Sequence, residues 1–131
     1  MGKHYLGDPT YYSDYGTRAQ AIVGNIKSRA KKKGIPFDLD WHWFMDRYER
    51  GVCEATGIPF EEPQYTGKKG AASPWTPSVD RIDPDKGYTK DNCQLVVWIY
   101  NLSKNRFTHE DLVQFCRAFL VAESLRRKNN T

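Results

Sequence analysis

Asp80, Arg81, Asn92 and Asn101 all fall within one block, SVDRIDPDKGYTKDNCQLVVWIYNLSKN, from Ser78 to Asn105. A carboxylate beside a carboxamide offers hard oxygen ligands of the kind Mg²⁺ or Mn²⁺ accepts while keeping several waters and taking phosphate oxygens for the rest. Such an ion polarises a phosphodiester and stabilises the charge that develops on its oxygens. Arg81, next to Asp80, carries the planar fork of donors that clamps a phosphate. An Asp in a turn and an Asn on a helix also serve as ordinary caps and surface groups. Spacing alone therefore leaves a metal site and plain capping both open.

The chemistry requires a scaffold that brings these residues together. PSVDRI alternates Val79 and Ile82 with polar positions and reads as a short strand after Pro77. DPDKGY reads as a turn, with Pro84 fixing φ and Gly87 supplying backbone freedom before the chain returns. NCQLVVWIYN reads as a second apolar strand, or as a strand passing into a helix that ends near SKN. Strand, turn, strand, helix places Asp80 late on the first strand and lets Asn101 project from the helix.

Around this block the pattern is largely helical. From Thr17, a plausible N-cap, Ala19, Ile22, Val23, Ile26 and Ala30 share one helical face; Arg18, Lys27, Arg29, Lys31, Lys32 and Lys33 lie largely off it, and Gly34 ends the run. A second helix, capped by Asp38 or Asp40, buries some of Leu39, Trp43, Phe44 and Tyr48 and ends at Gly51. A short strand or turn near Val52 and Cys53 precedes a long irregular loop from about Glu61 to Pro77. Thr108 and Asp111 mark a capping box for a final helix, with Leu112, Phe115, Cys116, Phe119, Leu120 and Ala122 on one face. The domain expectation is an irregular arm over residues 1–16 and a single domain over 17–131, with the core of interest at about 76–106. The fold class expected is α+β.

The 131 residues include four Trp and eight Tyr, enough apolar surface for one folded domain. No apolar run approaches the roughly 20 residues that cross a bilayer, and the opening lacks a signal peptide's apolar core. A cytoplasmic protein with no membrane partner is expected. Cys53, Cys93 and Cys116 are odd in number and lack a CxxC pair, which argues for buried reduced thiols and against a disulfide framework or four-ligand zinc. A net charge of +4 and a pI of about 9.0 favour a polyanionic partner.

The block from Ser78 to Asn105 resembles the ββα-metal motif of the HNH, or His-Me finger, endonucleases, in the phage and mobile-element variant in which DRID stands in place of DHI. GIPFDLDW and CEATGIPF extend the resemblance over about residues 27–104. It implies a small ββα-metal core flanked by helices, in a phage- or mobile-element-encoded protein working in the bacterial cytoplasm. By the same resemblance, Asp80 and Asn101 hold one Mg²⁺ or Mn²⁺ and Asn92 ties the loop to the strand. Arg81 stands where the general-base histidine would be, and a guanidinium cannot serve as that base. The ion alone then activates the water while Arg81 holds the scissile phosphate, or His42, His109 or a tyrosine supplies the base, or turnover has been lost. Many HNH proteins brace the motif with paired CxxC zinc ligands. Here CEAT keeps one cysteine and puts Thr56 at the next position, so packing without structural zinc is expected.

DNA contact is assigned to Arg29, Lys31, Lys32 and Lys33 in the basic half of the first helix, to Lys68 and Lys69 in the long loop, and to Lys104. Nothing in the sequence reads bases, so specificity would come from the arm or from a partner protein. The expectation is a divalent-metal-dependent DNA endonuclease or nickase. Its rival is an inactive HNH-fold DNA-binding module, and a more distant one is an interaction subunit with an exposed aromatic patch.

Overall fold

In the computed structural model, residues 16–61 and 73–130 are described. Among these residues four helices flank a two-stranded antiparallel ribbon: α1 (Gly16–Lys33), α2 (Trp41–Glu49), β1 (Pro77–Arg81), β2 (Cys93–Val97), α3 (Trp98–Lys104) and α4 (His109–Asn129). The architecture is α+β. The irregular arm, except for Gly16, and most of the long loop, with Lys68 and Lys69, lie outside the described residues. Helix α1 begins at Gly16, so Thr17 is inside it rather than its cap.

The ribbon pairs Val79 with Leu95 and Asp80 with Gln94. Period-two alternation then gives it two different faces. Val79, Leu95 and Cys93 join Ala19, Val23 and Ile26 of α1 and Trp43, Phe44 and Met45 of α2 in the main core. Val96 and Val97 join Cys53 and Tyr100 in a second cluster under α3. The free edge of β2 is covered by Glu54, whose N–H donates to the carbonyl of Leu95 at 2.9 Å and whose Oε2 accepts from the N–H of Leu95 at 2.6 Å.

Asp40, not Asp38, caps α2: its Oδ1 accepts from the N–H of Trp43 at 2.8 Å. That bond, with Lys90 at 3.0 Å, holds its carboxyl below the usual range. Asp38 instead accepts from the N–H of Lys90 at 2.7 Å, which docks the turn after β1 on the segment joining α1 to α2. Gly87 has a different role from the expected one. Its φ is not positive; a Cβ there would meet the Pro36 carbonyl oxygen at 2.5 Å, so glycine provides space for the turn to reach that segment.

The capping box of Thr108 and Asp111 starts α4 as expected. The apolar face expected on this helix is largely uncovered. Leu112 packs on the second cluster, but no α4 residue is buried, and Phe115 and Phe119 stand exposed. The sequence pattern supplies the face, and among the described residues no element covers most of it. Cys116 is therefore exposed, whereas Cys53 and Cys93 are buried.

Candidate functional site

Among the described residues β1 pairs with β2 alone, and a cleft of about 580 Å³ runs along it between α1 and α3. Every residue from Thr76 to Arg81 lines this cleft; Arg18, Ile22, Ile26 and Arg29 form its α1 wall, and Trp98, Asn101, Leu102 and Asn105 its α3 wall. Side chains of α3 cap carbonyls along β1. Asn101 Nδ2 donates to Val79 O at 3.0 Å and to Ser78 Oγ at 2.8 Å, and Lys104 Nζ donates to Arg81 O at 2.6 Å. Both hydrogens of the Asn101 amide are thus turned to β1, leaving Oδ1 as its acceptor for a ligand.

Asp80 is 2% exposed, and both of its oxygens are engaged. Oδ1 accepts from Lys104 Nζ at 2.8 Å and Oδ2 from Gln94 Nε2 at 3.0 Å. Lys104, expected among the cations that contact DNA, is 1% exposed and is instead the counter-ion of Asp80. One turn beyond Asn101, it shares the helix face that looks onto β1, and burial makes pairing there obligatory. This pair could have been anticipated from the i, i+3 spacing of Asn101 and Lys104, had the helix orientation been known.

Arg81 lies over the ring of Tyr88, 4.8 Å from its centroid, and donates from Nη1 to Lys86 O at 3.0 Å. Both residues line the cleft. Asn92 is 7% exposed and clamps the intervening turn: Oδ1 accepts from Asp83 N at 3.0 Å, and Nδ2 donates to Asp83 O at 3.0 Å and Gly87 O at 2.9 Å. The amide thereby fixes the end of the ribbon from which Arg81 projects.

Asp80, Arg81 and Asn101 are thus brought to one cleft, Asn92 braces it from behind, and Arg29 reaches it from α1. Lys31, Lys32 and Lys33 are exposed in the last turn of α1 and do not line it. Neither does His42, whose ring sits 3.9 Å from that of Trp41, nor His109, whose Nδ1 shares a hydrogen bond with Tyr100 OH at 2.9 Å. Among the described residues, the titratable hydroxyl lining the cleft is Tyr88. The sequence reading missed Arg18, Thr76, Tyr88 and Trp98. For Arg18 the signal is present, since helical spacing puts Arg18 and Arg29 together at the edge of the apolar face, beside Ile22. Among the described residues that line it, the cleft has the guanidinium groups of Arg18, Arg29 and Arg81 and the Asp80 carboxylate, which is paired with Lys104. Its chemistry suits a polyanion.

The chain is similar to a 29.0 kDa protein of Enterobacteria phage T4, described as uncharacterized and located in the dda-modA intergenic region, with 28% identity over 90 residues. The match covers 69% of this chain and 33% of the phage protein, so the chain spans about a third of that relative's length. No protein-family model and no solved structure matches the chain. Among the described residues, no helix is long and apolar enough to cross a membrane, and no group of three or more His, Cys, Asp or Glu side chains could hold a metal ion.

Proposed function

We propose that this protein is a DNA endonuclease or nickase of the HNH type, phage- or mobile-element-encoded, that hydrolyses a phosphodiester in the cleft along β1. The observation carrying this reading is the convergence of Asp80, Arg81 and Asn101 on one cleft together with Arg18 and Arg29. The guanidinium groups hold the nucleic-acid backbone by charge and bidentate hydrogen bonding. Arg81, held by Tyr88 and the Lys86 carbonyl, is pre-positioned for one phosphate, which lowers the ordering cost of binding. Asn92 keeps that arginine in register by fixing the turn.

The donor set fits a hard divalent cation in its chemistry: the Asp80 carboxylate and Asn101 Oδ1 would hold Mg²⁺ or Mn²⁺, with phosphate and water completing the shell. When bound, the ion would supply Lewis-acid polarisation of the phosphodiester. The Lys104 ammonium on Asp80 Oδ1 is the group with which such an ion competes.

That ammonium also favours the second reading, a nucleic-acid-binding module without turnover. Lys104 already balances the charge of Asp80, so the cleft binds phosphate with no ion required. Incubating the protein with supercoiled plasmid in Mg²⁺, Mn²⁺ or chelator, beside Asp80→Asn and Arg81→Ala, separates the two. Metal-dependent nicking that Asp80→Asn abolishes supports the nuclease. Salt-sensitive binding with no cutting in either metal overturns it in favour of the module.

A further inference from the structure

One end of the cleft carries chemistry that phosphate binding does not use. Thr76 and Trp98 meet there, with the N–H of Trp98 donating to the Thr76 carbonyl at 2.8 Å, and both residues line the cleft. Trp98 is 37% exposed although it opens a helix packed over a core cluster. Thr76 is only 5% exposed, and its Oγ1 is buried with no hydrogen-bond partner. A buried hydroxyl in that state carries a penalty that a turn about χ1 toward a ligand atom in the cleft would relieve. Leu102, one turn along α3 from Trp98, adds an exposed apolar side chain to the same wall. An indole face beside an unsatisfied hydroxyl is the combination that recognises a nucleobase, the ring by stacking and the hydroxyl by bonding to the base edge. Arg18 and Arg29 line the cleft from α1, where guanidinium groups would meet the phosphates that flank such a base.

We propose that this end of the cleft is a subsite for one unpaired nucleobase, stacked on Trp98 and hydrogen-bonded by Thr76 Oγ1. The substrate class is therefore single-stranded or locally unpaired nucleic acid. In uniform duplex each base face is already covered by its neighbours and must be unstacked before it can enter. The inference rests on the reading of the cleft as a nucleic-acid site.

The test is fluorescence anisotropy, in chelator to prevent cleavage, with three labelled probes: a mixed-sequence single strand, the matching duplex, and that duplex with a central gap. The wild type is expected to bind the single strand and the gapped duplex at least about 5-fold more tightly than the intact duplex, within the range for one base stacked on an aromatic side chain. Trp98→Ala should collapse that preference and Trp98→Phe should keep it. Thr76→Val, nearly isosteric, should lower single-strand affinity while Thr76→Ser retains it; thermal melts confirm that each variant is folded. Equal wild-type affinity for all three probes, or one common factor of loss in Trp98→Ala, overturns the subsite. The underlying reading is checked by Arg18→Ala/Arg29→Ala. If that variant weakens binding to every probe and Trp98→Ala is unselective, the subsite alone fails. If no probe binds, or the arginine variant changes nothing, the nucleic-acid reading fails and takes the subsite with it.

Discussion

Lys104→Met keeps most of the side chain's length and removes its charge, which makes it a direct probe of how the cleft is built. In the wild type, Asp80 and Lys104 are 2% and 1% exposed, and their charged atoms lie 2.8 Å apart. The variant leaves a buried carboxylate with Gln94 Nε2 at 3.0 Å as its remaining side-chain donor, and it withdraws the ammonium from the Arg81 carbonyl. Breaking one member of a buried pair in this way costs about 3–5 kcal/mol. Against a total stability of roughly 5–15 kcal/mol this is a large fraction. The melting temperature should fall by roughly 10–20 °C. Urea unfolding followed by tryptophan fluorescence measures the loss, and Asp80→Leu/Lys104→Met should recover most of it, because an apolar pair carries no desolvation penalty. A loss below about 1 kcal/mol in the single variant, the level of an exposed ion pair, or no recovery in the double, would refute the reasoning. Asp80→Ala would strand the Lys104 ammonium and confound folding with chemistry, whereas Asp80→Asn keeps an acceptor for it.

Asn92→Ala removes three hydrogen bonds from a buried turn and should cost roughly 2–4 kcal/mol in the same urea assay, whereas an exposed amide would cost nothing measurable. Arg29→Glu should weaken binding to DNA of any sequence and reduce the dependence of log affinity on log salt by roughly one contact or more, as read from titrations at several salt concentrations. Burial pushes the Cys93 thiol up to about 12 and the Tyr100 hydroxyl up to about 12. The folded state then holds protons that the unfolded chain releases, so stability should fall as pH rises above about 9, and Cys93→Ala should flatten the first part of that decline in unfolding curves taken from pH 8 to 11. In the native protein, a thiol reagent at pH 8 should modify Cys116 at once and reach Cys53 and Cys93 only on unfolding.

What could be read from the sequence was local. The apolar spacing from Ala19 to Ala30, the capping of α2 and α4, and the strand–turn–strand–helix order around Asp80 depend on periodicity and on side chains within a few residues of one another. Misreadings arose where a distant element decides the outcome. Gly87 reads locally as a flexible turn residue, but its constraint is Pro36, which the fold brings against it. The apolar face of α4 reads as core, yet burial needs a second surface, and along most of this helix the described residues provide none. Lys104 reads as one more DNA-contacting cation, and only the docking of α3 on β1 turns it inward onto Asp80.

Which side chains are available to the cleft, and which elements carry them, follows from the local chain, because helix and strand periods are local properties. Which of them meet follows from how those elements pack. That packing places Arg18, Thr76, Tyr88 and Trp98 beside the anticipated Asp80, Arg81 and Asn101, and it pairs Asp80 with Lys104. The docking of α3 on β1, and of α1 on the core it shares with the ribbon, sets those distances, and no spacing along the chain encodes them.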